Sequence, residues 1–246
     1  MDNSQVVIKI SKPKFFSEGG EDNDKFMKKI IVKALVKGQE VGRLTAMELD
    51  LPNTYAVGGI WQVAKILDET SELSQLCSFA FGEWATGLMF APDNSYKTTY
   101  TDSFAKLAKP NGYYPPDLEL EETDFDYKLL YVERVNVDPE HQRRGIGSML
   151  VQALGRRNRL SKFQGKAIFI ALRAFPVSGQ WSNHPAGTFE RHDVFTKEIS
   201  DIKAFYQKLG FSGDDSSDWM LHCPNMLYQH TQAKKKALSV AVACAA

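Results

Sequence analysis

The chain has 246 residues, 43% of them hydrophobic and 24% charged, with 30 basic and 30 acidic side chains that cancel. This is the composition of an ordinary globular chain, long enough to bury a full core. A balanced charge provides no global field to draw it onto nucleic acid or an anionic membrane, so neither is expected as a partner.

The N-terminal "MDNSQVVIKISKPKFF" lacks the basic-then-apolar pattern of a secretory signal, and "SQVVIKI" within it reads as a strand. "KKIIVKALV" and "EVGRLTAMEL" alternate in part on either side of "KGQ", which predicts a β-hairpin with a short glycine-containing turn. From "IWQVAKILDETSELSQLCSFAFGEW", the apolar positions Val63, Ile66, Leu67, Leu73, Leu76 and Phe79 or Ala80 predict helix, broken near Thr70 and Ser71. Cys77 on that helix reads as a core residue. With Cys223 and Cys244 it makes an odd set without a Cys-x-x-Cys pair, so reduced thiols are expected rather than a disulfide framework or a zinc ribbon. Residues 91–126 are rich in Pro, Asn, Gly, Tyr and acids. "KPNGYYPPDLELEETDFD" within them reads as a surface loop rather than a domain boundary.

"YKLLYVERVNV" then reads as a central strand, and period-two alternation places Tyr131, Glu133, Val135 and Val137 on one face. "GIGSMLVQALGRRNR" follows as a helix with Ile146, Met149, Leu150, Ala153 and Leu154 in one apolar stripe. "KAIFIALRAF" is a second buried strand. "EISDIKAFYQKLGF" is a second amphipathic helix, with Ile199, Ile202, Phe205, Tyr206 and Leu209 inward and Gly210 at a left-handed C-terminal cap. "DWMLHC" closes as a strand ending near His222 and Cys223. Strands alternating with helices imply a largely parallel arrangement covered on both faces. The terminal "ALSVAVACAA" is apolar but short, no run approaches 18 apolar residues, and Lys234, Lys235 and Lys236 read as a solvated tail. A cytoplasmic protein is expected, with a nuclear location left open.

Two glycines one residue apart, Gly145 and Gly147, stand between the strand and the helix. A helix start offers unpaired N–H groups and a positive dipole end. Glycine lets an anion approach that backbone without a Cβ in the way, so the stretch suits a phosphate. Arg143 and Arg144 add charge, and "QRRGIG" with "GRRNR" makes a local basic patch. The dinucleotide fingerprint fails because position 150 is Leu rather than Gly, and no Walker loop is present.

What the stretch does carry is Q/R-x-x-G-x-G/A, as Gln142-Arg143-Arg144-Gly145-Ile146-Gly147. This resembles the pyrophosphate loop of the GNAT superfamily of acyl-CoA-dependent N-acyltransferases. "AFYQKLGF", residues 204–211, is similar to that family's Y-x-K-x-G-F segment and lies between the expected strands. The resemblance covers residues 127–222 well, and the layout of the whole is similar to a fungal-type subgroup. It implies a mixed α/β fold: a GNAT-like three-layer α-β-α sandwich around a twisted, mixed central sheet of about six to seven strands. A single domain over residues 1–246 is expected, with an insertion at 60–126, an acyl-CoA-binding core at 127–222 and a tail at 224–246.

The activity so implied is direct transfer of an acetyl group from acetyl-CoA to a primary amine, on a small molecule, a lysine side chain or a protein N-terminus. The alternative is a non-catalytic acyl-CoA-binding or interaction module on the same fold. Such chemistry needs a base for the amine, a donor for the oxyanion and a proton for the leaving thiolate. The family's base falls at positions matching Tyr131 or Glu133. Glu133 is the candidate, although a carboxylate in an apolar strand can equally serve a salt bridge, for instance in Arg134's neighbourhood or with Arg173. The resemblance assigns the oxyanion donor to a backbone amide near Val135, Asn136 and Val137, where the pantetheine arm pairs like an added strand. Cosubstrate contacts fall to those three residues and to Gln142, Arg143, Arg144, Gly145, Ile146, Gly147 and Ser148. Tyr206 matches the tyrosine that protonates the thiolate, and a phenol of pKa about 10 is a plausible source; by periodicity alone it reads as a core aromatic. His184 and His192 read as loop residues rather than metal ligands, and no metal is expected. His141 adjoins the phosphate loop. Glu190 and Asp193 read as a solvated face. The early helices, the 91–126 loop and the insert at 176–195 are expected to shape the acceptor site, and a monomer or homodimer is expected.

Overall fold

The structure is a computed structural model that describes residues 6–15, 25–67, 70–81, 127–160, 167–176, 180–213 and 217–222. The predicted 91–126 loop and the C-terminal tail lie outside these residues. Eight strands form one sheet: β1 (Val6–Ile10), β2 (Lys14–Phe15), β3 (Met27–Val36), β4 (Gln39–Leu49), β5 (Tyr127–Val137), β6 (Ala167–Arg173), β7 (Ser212–Gly213) and β8 (Trp219–His222). Their order is β1-β3-β4-β5-β6-β8-β7, with β2 paired to β3 beside β1. Seven of the described strands lie on one path through a mixed sheet, as expected, and the two-residue β2 is added beside β1. The largely parallel arrangement that strand–helix alternation predicts for the second half is not found. Among the described strands only β5–β6 is parallel, and every other pairing is antiparallel.

The predicted hairpin is β3–β4, closed by Lys37 and Gly38 with φ of 52° and 83°, both left-handed as a two-residue I′ turn requires. Helix α1 (Leu51–Leu67) starts earlier than the apolar pattern suggested and is interrupted at Gly58 and Gly59, whose dihedrals are not helical. Helix α2 (Ser71–Phe81) begins where the break was expected, and the Thr70 hydroxyl accepts from Leu73 N as a cap. Helices α3 (Ile146–Leu160) and α4 (Phe189–Gln207) follow β5 and β6.

The sheet divides two apolar clusters, which gives the three layers expected. On one face, α1 and α2 bury Leu51, Val63, Ile66, Leu67, Leu73, Leu76 and Cys77 against Met47, Leu49, Leu129, Tyr131 and Phe169. On the other, α3 buries Ile146, Leu150, Val151 and Leu154, and α4 buries Tyr206, against Val32, Leu44, Val132, Ile170 and Met220.

β5 does not keep its period. Val132 pairs with Ala46 and Arg134 with Thr45, so Glu133 is an extra residue, a β-bulge. Before it, Tyr131 belongs to the α1/α2 cluster; after it, Val135 and Val137 pack against the α3/α4 cluster. The expectation of one shared face for Tyr131, Glu133, Val135 and Val137 is therefore corrected, because one inserted residue flips everything beyond it.

Candidate active site

The sheet opens beside this bulge. The β5–β6 ladder ends at Val132 and Leu172, while the β4–β5 ladder continues to Gly42 and Val137. β6 leaves because Ala174 N donates to Asp218 O, on the far side, and Pro176 follows. Beyond Val132 the described part of β6 no longer pairs with β5. The strand edge so opened borders a cleft of about 1130 Å³, floored by β5 and walled by α3 and α4.

At one end of the cleft lies the glycine loop. Asp138 N donates to Val41 O, so pairing with β4 extends just beyond β5; a 3₁₀ turn, Pro139–His141, then reverses the chain. The Gln142 side chain donates to Val137 O at 3.0 Å and ties the loop to the strand end. Arg143 and Gly145 both have left-handed φ, 57° and 78°. Gly145 O accepts from Met149 N as the helix begins. At Gly145 nothing lies within 4 Å of a would-be Cβ, so its dihedral alone calls for glycine. At Gly147 the reason is different: a Cβ would lie 3.3 Å from Phe205 Cζ, so glycine there lets α3 and α4 close on each other. The second glycine thus serves helix packing as well as anion approach.

Tyr206 stands on the α4 wall. It is 8% exposed, and its ring meets Phe205 at 4.9 Å and Phe211 at 5.5 Å between centroids. Phe211 N donates to Tyr206 O and Gly210 N to Gln207 O, the two bonds of a Schellman motif, with Gly210 at φ 90°. The Tyr-x-Lys-x-Gly-Phe pattern is thus a helix ending that pins the tyrosine. The phenol hydroxyl bonds to no described side chain or backbone group, and burial pushes its pKa up to about 12.

The cleft gathers most of the predicted residues: Glu133, Tyr206, and Val135 through Val137 with Gln142, Arg143, Gly145, Ile146, Gly147 and Ser148. Arg144 is exposed and does not line it. Glu133 is half-buried at the bulge. Arg173, its suggested partner, is engaged elsewhere: Nη1 donates to Gln75 Oε1 at 2.6 Å, and Nη2 lies 3.7 Å from Asp218. His141 is half-buried on the cleft, with Nδ1 unbonded. Glu190 and Asp193 are exposed, as expected; His192 is exposed too but stands on α4 rather than in the expected loop, and His222 Nδ1 meets Gly210 O at 2.8 Å.

Sequence reasoning missed the outer wall. Helix α4 begins at Phe189, inside the stretch read as a polar insert, and carries Val194, Lys197, Glu198 and Asp201 along the cleft. The available signal was Thr188, whose hydroxyl accepts from Arg191 N as an N-cap. Phe175 and Pro176, beyond β6, line the same opening, where the Phe175 ring meets Phe195 of α4 at 5.2 Å between centroids. Among the described residues, no group of three His, Cys, Asp or Glu could hold a metal ion, and no helix is long and apolar enough to cross a membrane.

Residues 117–213 match the acetyltransferase (GNAT) domain. None of the curated proteins matches the chain. Similar solved structures include an apo mutant of agmatine N-acetyltransferase, at 14% identity over 78% of this chain and 73% of that one, with a TM-score of 0.34. The Drosophila melanogaster polyamine N-acetyltransferase, which forms N-acetylagmatine, shares 14% identity over 78% and 74%, TM-score 0.32. AtaTR bound with acetyl-CoA shares 11% over 93% and 99%, TM-score 0.36.

Proposed function

We propose that this chain, whose residues 117–213 match the acetyltransferase (GNAT) domain, is an N-acetyltransferase moving an acetyl group from acetyl-CoA to a primary amine by direct attack. What carries the reading is a single cleft shared by the left-handed glycine loop, the β5 edge that β6 leaves open and the Tyr206 hydroxyl, which bonds to no described group. These residues fit an acyl-CoA. The loop amides between Arg143 and Ser148, at the N-terminus of α3, suit a pyrophosphate, and the open strand edge suits an amide-bearing arm that bonds like an added strand.

The bound thioester supplies the activated acyl group and a thiolate leaving group. Glu133, lifted out of the ladder by its bulge, takes the proton that the amine must lose, directly or through a water. An N–H on the open edge near Val135–Val137 polarises the carbonyl. As the C–N bond forms and the C–S bond breaks, the Tyr206 hydroxyl donates to the developing thiolate. A pKa of about 12 keeps the phenol protonated throughout the physiological range. It also makes complete transfer to a thiol-like acceptor costly, so the stronger role is that of a hydrogen-bond donor.

The test is thiol release from acetyl-CoA by the full chain against small amines, lysine peptides and protein N-termini. Acceptor-dependent release is the expected result. Acetyl-CoA binding with no release on any acceptor would replace this reading with a binding module on the same fold.

A further inference from the structure

A second, smaller cavity of about 400 Å³ is lined by Glu40, Gly42, Arg43, Thr45, Arg134, Asn136 and Asp138. The ladder register explains it. Arg43 lies opposite Asn136 and Thr45 opposite Arg134, so all four share one face. The bulge at Glu133 puts that face on the α1/α2 side, beyond the part that those helices cover. Arg134 and Asn136 also line the large cleft. The two cavities therefore meet across the open edge of β5, one on each side of the strand where the acyl group is to be transferred.

The charges of the small cavity are not equivalent. Glu40 is already taken: it accepts from Arg43 Nε at 2.6 Å and pairs with Lys33 Nζ at 2.7 Å. Those two cations hold its carboxyl down at about 2, so it stays ionised and satisfied. Asp138, four residues along the strand, makes no ion pair with Arg134. Arg134 is exposed and makes no ion pair with any described residue. Beside it stand the Thr45 hydroxyl and the Asn136 amide, both able to donate. The part of this cavity nearest the strand opening is thus a cation flanked by donors.

We infer that this cavity receives an anionic group of the acceptor, with Arg134 as its counter-ion, so that the acceptor is a primary amine bearing a carboxylate or phosphate a few bonds from its nitrogen. The inference rests on the acyl-transfer reading above. Guanidinium matches either anion in a bidentate pair. Holding that end on one side of β5 leaves the amine at the opening, next to Glu133.

The experiment compares thiol release with β-alanine, aminoethyl phosphate, β-alaninamide and 1,3-diaminopropane. At least one acidic amine should exceed the neutral amide by about tenfold in kcat/KM, and the better of the two identifies the anion. Arg134→Gln should collapse that ratio toward one, Arg134→Lys should restore part of it, and Arg134→Glu should shift preference to the diamine. Melting curves of each variant check the fold. An active enzyme that prefers the amide or diamine, or an unchanged ratio in Arg134→Gln, overturns the inference while leaving acetyl transfer intact. Should no amine turn over, calorimetric titration of β-alanine and aminoethyl phosphate with CoA present decides it. Binding weakened by Arg134→Gln upholds the site, and no binding, or binding indifferent to the substitution, removes it.

Discussion

Gly147 and Phe205 are in contact through a missing atom: a Cβ on residue 147 would lie 3.3 Å from Phe205 Cζ. The first turn of α3 and the cleft wall on α4 therefore sit as close as glycine allows. Alanine at 147 requires Phe205 to move by a few tenths of an ångström, a crowding cost of about 1 kcal/mol that the better helix propensity of alanine largely offsets. Gly147→Ala should melt within a few degrees of wild type. Gly147→Trp has no such option and should fill the mouth of the cleft. Calorimetry is expected to show acetyl-CoA affinity lost by at least tenfold in the tryptophan variant, and wild-type affinity there would refute the placement of the pyrophosphate.

Gly145 isolates the other reason for glycine. Its φ of 78° is left-handed and its surroundings are open. Gly145→Ala should cost about 1–2 kcal/mol through backbone strain alone, a fall in melting temperature of about 2–8 °C for a domain of this size. An unchanged melting temperature in the alanine variant would show that the loop relaxes without the left-handed turn.

Glu133→Gln tests the base by its pH dependence. Removing a general base lowers kcat/KM by about 10²-fold at neutral pH. The deficit should shrink as pH rises toward about 10, where a lysine-like amine has lost its proton without help. A deficit that stays constant from pH 6 to 10 would assign Glu133 to structure or to substrate charge instead.

The parts legible in sequence were those with a local physical cause. The hairpin turn was visible because Lys37 and Gly38 sit between alternating runs. The α4 ending was visible because Gly210 supplies the left-handed cap that Tyr206 and Phe211 close around. The bulge at Glu133 was not visible. It depends on how β5 pairs with β4, and no residue type within β5 announces it. That one insertion moved Val135 and Val137 to the α3/α4 face and turned Arg134 and Asn136 to the other. The sparse parallel pairing was hidden for the same reason: alternation of strands and helices does not say that β8 returns antiparallel beside β6. The early start of α4 was hidden by composition, since Phe189, Glu190, Arg191 and His192 look like loop, and only the cap at Thr188 argues otherwise.

Tyr206 separates fold from chemistry. Its ring is held by Phe205 and Phe211, while its hydroxyl bonds to no described group. Removing only the oxygen leaves the ring contacts in place and strands no hydrogen-bond partner, so Tyr206→Phe should change stability by less than about 1 kcal/mol. Turnover should fall by about tenfold to a hundredfold, with acetyl-CoA affinity unchanged, if the hydroxyl donates to the thiolate. Equal turnover in the two proteins would make Tyr206 a core aromatic and nothing more. Its titration gives a second readout. The folded-state pKa of about 12 lies above the ordinary 10, so from pH 10 upward the unfolded chain loses this proton while the folded chain retains it. Stability then falls as pH rises between 10 and 12, by up to about 3 kcal/mol from this group. The phenylalanine variant lacks that loss, so denaturant titrations of the two proteins, matched at pH 8, should diverge above pH 10 with wild type the weaker. Parallel curves across that range would mean that the phenol is hydrated in the folded protein.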